Sequence, residues 1–140
     1  MTATITSGDG QTRFREVASA EHGNHRGILD GAAALRTMAK AALACAARHS
    51  GCEVTMAKAD SIEFVRTIPA GCTMDVRAQI VFQGLSSMTV IVELAPDGAG
   101  ENEQAAYISG RFMVVAVDAD GLPARIKDTT LSRPLQDRAG

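Results

Sequence analysis

"AAALRTMAKAALACAARH", residues 32–49, decides the fold. Nine alanines fall between residues 32 and 47, and Leu35, Met38, Ala42 and Cys45 recur at helical spacing on one face. Arg36 and Lys40 mark a narrow wet edge. His49 sits in the last turn and Gly51 supplies a stop. A helix this poor in charge must be largely buried, so something apolar and extended has to cover it.

That cover is legible on either side. "TRFREVAS" alternates loosely and reads as a first strand before the helix. After it, "VTMAKADSIEFVRTI" is extended, with Met56, Ile62 and Phe64 on one parity. "DVRAQIVF" sets Val76, Ala78, Ile80 and Phe82 against Asp75, Arg77 and Gln79. "SSMTVIVEL" repeats the alternation through Met88, Val90, Val92 and Leu94. "AAYISGRFMVVAVD" is a longer strand in which Gly110 marks a bulge or a close approach. The connectors "PAGC", "FQGLSS" and "PDGAGENEQ" are turn chemistry. The expectation is one strand, one central helix, then about four antiparallel strands. This is an α+β domain over 11–127, between a loose polar arm (1–10) and a flexible tail (128–140). One helix cannot cover both faces of such a sheet, so a second copy of the chain is expected to bury the rest.

Composition narrows the class. The chain has 140 residues, 46% hydrophobic and 21% charged, an ordinary globular balance for one domain. Its net charge is −2 and its 14 basic residues are scattered, which argues against a nucleic-acid footprint. Cys45, Cys52 and Cys72 are odd in number and lack zinc spacing, as expected of reduced thiols in a cytoplasmic protein. No stretch approaches a membrane span or a signal-peptide core, and no metal, dinucleotide or P-loop motif is present.

The helix, its approach and three of the strands carry a further likeness. "NHRGILDGAAALRTM" resembles the N-x-x-G-x-x-x-G-G-x-x-M-x-x-M segment that opens the central helix of hotdog-fold acyl-CoA thioesterases, above all the cytosolic acyl-CoA hydrolase type, with Asn24, Gly27, Gly31 and Met38 in step. "VTMAKADSIEFVRTIPAG" is similar to that family's V-T-x-x-x-x-D-x-x-x-F stretch, with Asp60, Phe64 and Gly71 in register. "QGLSSMTVIVEL" matches G-x-x-S-M-T-V, and "GRFMVVAVDADGLPARI" the last strand with D-x-x-G-x-P. The resemblance runs from about Arg13 to Ile126. It implies a hotdog fold, a long central helix wrapped by an antiparallel sheet. It also implies an acyl-CoA substrate, no cofactor beyond the coenzyme A of the substrate, and a homodimer or higher oligomer such as a tetramer or hexamer, with sites between subunits. One departure stands out. The family's catalytic carboxylate, fifteen residues after the asparagine, falls on Ala39, and the second glycine of its pair on Ala32.

Thioester hydrolysis needs donors for a developing oxyanion and a carboxylate or base. A helix start beside a glycine turn offers free amides and a positive dipole end, so Gly31 and Ala32 are candidate donors. Asp30 reads either as the N-cap of the helix or as a relocated catalytic carboxylate. Asn24 either orients the thioester or a water, or bonds its own turn. His22 and His25 read as loop histidines, His25 being a base if folded inward. Asp60 shares parity with Ile62 and Phe64, so without a bulge it faces the helix, with Lys58 as an available partner. It is the second candidate acid. Arg66, Ser86, Ser87, Arg125 and Lys127 are the candidate contacts for the phosphates of coenzyme A. A hotdog protein that binds an acyl-CoA or acyl-carrier thioester without cleaving it is the alternative left open by Ala39. A hotdog hydratase or dehydratase ranks last, because Asn24, His25 and Asp30 lack the expected spacing.

Overall fold

A computed structural model of the chain describes residues 6–8, 10–18, 21, 23, 25–98 and 106–127. His22 and Asn24 lie outside the described residues, as does the tail 128–140.

The helix, α1, spans Gly31–Ser50. Asp30 caps it in extended backbone (φ −65°, ψ 142°), accepting from the Ala32 amide. Gly51 ends it in the left-handed region (φ 70°), donating to the Ala47 carbonyl, where a side chain would be strained. Arg48 and His49 sit at the negative end of the dipole. The buried face consists of Ala33, Ala34, Thr37, Met38, Ala41, Ala42, Cys45, Ala46 and Ser50, small enough for the helix axis to lie close to a sheet. Leu35, expected on that face, is 40% exposed. It stands about 60° round the helix from Met38, at the margin of the buried arc.

Six strands make that sheet: β1 (Thr6–Gly8), β2 (Gln11–Val17), β3 (Glu53–Phe64), β4 (Thr73–Gln83), β5 (Ser87–Pro96) and β6 (Ile108–Val117). All neighbours are antiparallel, in the order β1-β2-β4-β5-β6-β3. β1 falls within the stretch expected to be a loose arm, so two strands precede the helix. Four follow it, as the alternation predicts. The helix lies across β4, β5 and β6, which is the hotdog arrangement. Val76, Ile80, Met88, Val90, Val92, Leu94 and Val114 are fully buried against Met38, Ala42 and Cys45.

Register shifts in two strands redirect side chains. In β4, a shift between Ile80 and Phe82 leaves Phe82 59% exposed, although its parity placed it in the core. In β3, shifts fall between Met56 and Lys58 and between Asp60 and Glu63, with Ser61 at φ 55°. Asp60 therefore pairs with Arg111, whose neighbours Gly110 and Phe112 are the buried ones, and points to the face away from the helix. The second bulge returns Ile62 and Phe64 to the helix side. Gly110 is a close approach rather than a bulge. A Cβ there would meet Ile62 Cδ1 at 2.5 Å and Met38 Cε at 3.0 Å, and the β5–β6 register runs unbroken through it.

Candidate active site

The first turn of α1 is built from two loops bound to each other. Leu29 N donates to Ile68 O at 2.8 Å and Ala70 N to Gly27 O at 2.9 Å, with Gly27 at φ 75°. Leu29 and Ile68 are buried beneath this pairing and fix the direction in which the helix starts. The Ala32 amide is taken by Asp30 Oδ2 at 3.1 Å, and the Ala34 amide by Asp30 O at 3.0 Å. The Gly31 amide has no partner among the described residues. It stands exposed at the positive end of a 20-residue helix. A Cβ on Gly31 would lie 3.8 Å from Phe64 Cζ, so the Phe64 ring, itself 52% exposed, overhangs this amide. Beside it, Arg66 sets its guanidinium 5.2 Å from the ring of Tyr107, the single tyrosine of the chain. Arg66 N also donates to Tyr107 O at 3.1 Å.

The predicted residues separate into three places. Asp30, Gly31 and Arg66 share the N-terminal end of α1. Ser86, Ser87, Arg125 and Lys127 gather at the other end. There the Ser86 carbonyl accepts from Ala116 N at 2.8 Å and the Ser87 carbonyl from Gly84 N at 2.8 Å. Ile126 N donates to Leu85 O at 2.8 Å, and Gln83, bonded to His49 at 2.8 Å, donates to Lys127 O. These ends are about 30 Å apart, the length of the helix. Asp60 belongs to neither. Arg111 Nε lies 3.3 Å and Lys58 Nζ 3.6 Å from its carboxylate. Burial pushes this carboxyl up. The Arg111 hydrogen bond, the Arg111 and Lys58 charges and a Ser61 hydrogen bond outweigh it and hold the group below the usual carboxylate range. Lys58 is thus the partner expected, and an acid so held is a poor proton carrier at neutral pH. His25 is exposed in the loop. Ala39 is half-buried and brings no carboxylate to the helix.

Neither the thiols nor the sheet's outer face compete for the role. Burial pushes the Cys45 thiol up, against a Thr12 hydrogen bond and the Arg48 charge, and raises Cys72 likewise. The outer face holds an open depression of about 320 Å³ lined by Gln11, Arg13, Arg77, Gln79, Ile91 and Glu93. Its charged walls belong to the Arg13–Asp75 (3.0 Å) and Arg77–Glu93 (3.7 Å) ion pairs. Phe64 and Tyr107 are the parts of the helix-start site that the sequence did not assign. The solitary tyrosine was a signal, but only the β3–β6 pairing brings it to Arg66.

The thioesterase superfamily profile matches residues 27–101, from the glycine loop through α1 and into the turn after β5. The chain belongs to the thioesterase superfamily. Among relatives of this thioesterase-superfamily chain, an uncharacterized acyl-CoA thioester hydrolase of Zymomonas mobilis is 32% identical over 93% of this chain and 87% of its own length. The cytosolic acyl coenzyme A thioester hydrolase of Rattus norvegicus is 28% identical over 69% of this chain, which spans only 26% of that protein. An acyl-CoA hydrolase of Staphylococcus aureus, solved with butyryl coenzyme A and coenzyme A, shares the fold with a TM-score of 0.74 at 23% identity, over 84% of this chain and 70% of that one.

Proposed function

We propose that this thioesterase-superfamily chain hydrolyses acyl-CoA to a free acid and coenzyme A at the N-terminal end of α1. The observation that carries the reading is the unpartnered Gly31 amide, held at a positive helix end beside a carboxylate. In this reading the thioester oxygen accepts from the Gly31 amide, which stabilises the negative charge that grows as water attacks. Asp30 takes the proton of that water, and the tetrahedral adduct then breaks its carbon–sulfur bond. The departing thiolate of coenzyme A receives the proton from Asp30. Asn24 holds the thioester or the water. Asp30 spends one oxygen on its helix cap, leaving Oδ1 as the proton acceptor. No step calls for a cofactor. Reduced cysteines support a cytoplasmic location, and among the described residues no helix is long and apolar enough to cross a membrane.

The working form in this proposal is a homodimer. β3 closes the sheet as a 12-residue edge whose outward backbone groups lack a strand partner among the described residues. A two-fold pairing of β3 with the β3 of a second copy is antiparallel. It sets the Phe64 end of one copy against the Glu53 end of the other. Arg66 and Gly31 of one copy then approach the partner's Ser86, the partner's Ser87, the partner's Arg125 and the partner's Lys127. The two groups of residues that stand about 30 Å apart in one chain become the two ends of one site. Phosphates of coenzyme A bind the basic end while the thioester reaches the amide.

Ala39 favours a second reading, in which the thioester is bound and not cleaved. Thiol release from acyl-CoAs of graded chain length, measured beside acyl-CoA binding, separates the two. Hydrolysis predicts release that saturates with substrate, binding alone predicts affinity without release, and the absence of both overturns the assignment.

A further inference from the structure

The register shift in β4 between Ile80 and Phe82 has a second effect at Gln83. Asp75, Arg77 and Gln79 alternate onto the outer face, and unbroken parity would send Gln83 there too. Beyond the shift Gln83 instead lies opposite Met88, which is fully buried in the core, so its amide turns to the helix side. There His49 Nε2, in the last turn of α1, lies 2.8 Å from Gln83 Oε1, and Gln83 Nε2 donates to Lys127 O at 3.4 Å. A carbonyl only accepts, so Gln83 turns its NH2 to Lys127 and its oxygen to His49, whose Nε2 carries the proton. The bulge thus leaves Phe82 in water and turns an amide inward, whereas hydrophobic burial alone favours the reverse. A bulge that re-aims a side chain against that preference marks a functional place in a strand.

The segment that Gln83 reaches is a strap over residues 123–127, laid across the end of the sheet. Pro123 bridges to Val117, Ala124 N donates to Ala116 O and Ile126 N to Leu85 O, both at 2.8 Å. Ala124 is half-buried, Ile126 is buried, and the alternating Arg125 and Lys127 are exposed. We propose that His49 is a positioning residue for coenzyme A: through Gln83 it fixes the end of this strap, so that Arg125 and Lys127 present their charges to the phosphates. The inference rests on the acyl-CoA reading of the site. Electrostatics make the placement matter. This is the negative end of the α1 dipole, where an anion is held only by cations set close to it. Arg48 and His49 belong to the helix, but Arg125 and Lys127 come from a segment outside every helix and strand. Their orientation depends on the ties of the strap, and the tie at Lys127 is the one that His49 holds.

The test measures hydrolysis of octanoyl-CoA and of octanoyl-pantetheine, which lacks the phosphates, by the full chain and by His49→Ala, Gln83→Leu, their double variant and His49→Gln. Each of the first two is expected to raise KM for octanoyl-CoA roughly two- to tenfold, the range of one hydrogen bond, with kcat within about twofold. The double variant should go no further than either single one, because both break the same chain of bonds. Octanoyl-pantetheine should be cleaved at the parent rate throughout. His49→Gln still offers an N–H to Gln83 and should keep the parent KM. In an Arg125→Gln/Lys127→Gln background, His49→Ala should raise KM no further. Four results overturn the proposal: an unchanged KM in His49→Ala, additive losses in the double variant, equal losses on both substrates (which make the chain of bonds a support for the fold alone), or a further rise in the Arg125→Gln/Lys127→Gln background (which puts His49 on the ligand itself). If neither substrate is cleaved, the hydrolytic reading fails and positioning is judged by calorimetric titration with coenzyme A. Binding weakened in both His49→Ala and Gln83→Leu supports the role of His49, and absent or unchanged binding overturns it.

Discussion

In the proposed reaction Asp30 joins two roles that the sequence left as alternatives. One oxygen caps α1 through the Ala32 amide, and the reaction proposed here draws on the other. Asp30→Asn separates them, because asparagine caps a helix about as well as aspartate but cannot accept the proton. Turnover should fall roughly a hundredfold with acyl-CoA binding and melting temperature nearly unchanged. Thiol release that continues at the parent rate would make Asp30 a cap alone. Ala39→Asp is the complement, raising activity if the pocket is otherwise that of a thioesterase. Asp60 behaves differently. Its folded pKa lies below the unfolded value, so it adds stability that is fully present above about pH 4 and disappears as pH falls through the lowered value. The stability gap between the parent and Asp60→Asn, followed by urea denaturation, should be constant from about pH 7 to 5 and close toward pH 2. A gap that widens in acid contradicts this sign.

At the scale of elements, α1 lies close to the sheet because both surfaces are small where they meet. Ala34, Ala41, Ala42 and Ala46 supply this on the helix, and Gly110 on β6. Gly110→Ala places a methyl group against Ile62, Met38 and the Phe112 ring at 2.5 to 3.1 Å. These are ends of flexible side chains, so the fold should survive with a loss of about 1–3 kcal/mol in chemical denaturation. A neutral result would mean that the helix shifts without strain. The helix boundaries, five of the six strands and the alternation of β5 were legible in residue pattern alone, since α1 has period 3.6 and β5 has period 2 without interruption. Asp60 and Phe82 were misplaced for one reason. A bulge adds a residue to one strand, and the parity of everything beyond it reverses without any change in composition.

At the scale of the whole molecule, the proposed site, divided between the two ends of α1, makes association a requirement of the proposed reaction. Light scattering should return a multiple of 14.6 kDa over a broad concentration range, with two chains as the smallest unit. A particle of a single chain's mass would remove the shared site and leave Arg125 and Lys127 as surface charge.

The sequence by itself determined the class of this protein: a buried alanine-rich helix, an antiparallel sheet around it, and a glycine-and-aspartate turn that opens the helix. Those properties are local, since periodicity, capping and turn chemistry act over a few residues. Only the tertiary structure decided which residues meet. It put Phe64 over Gly31 and Arg66 over Tyr107, turned Asp60 to the outer face, and set Ser86, Ser87, Arg125 and Lys127 a helix length away from Asp30. Such neighbours depend on strand order and register across dozens of residues, and a single bulge is enough to change them.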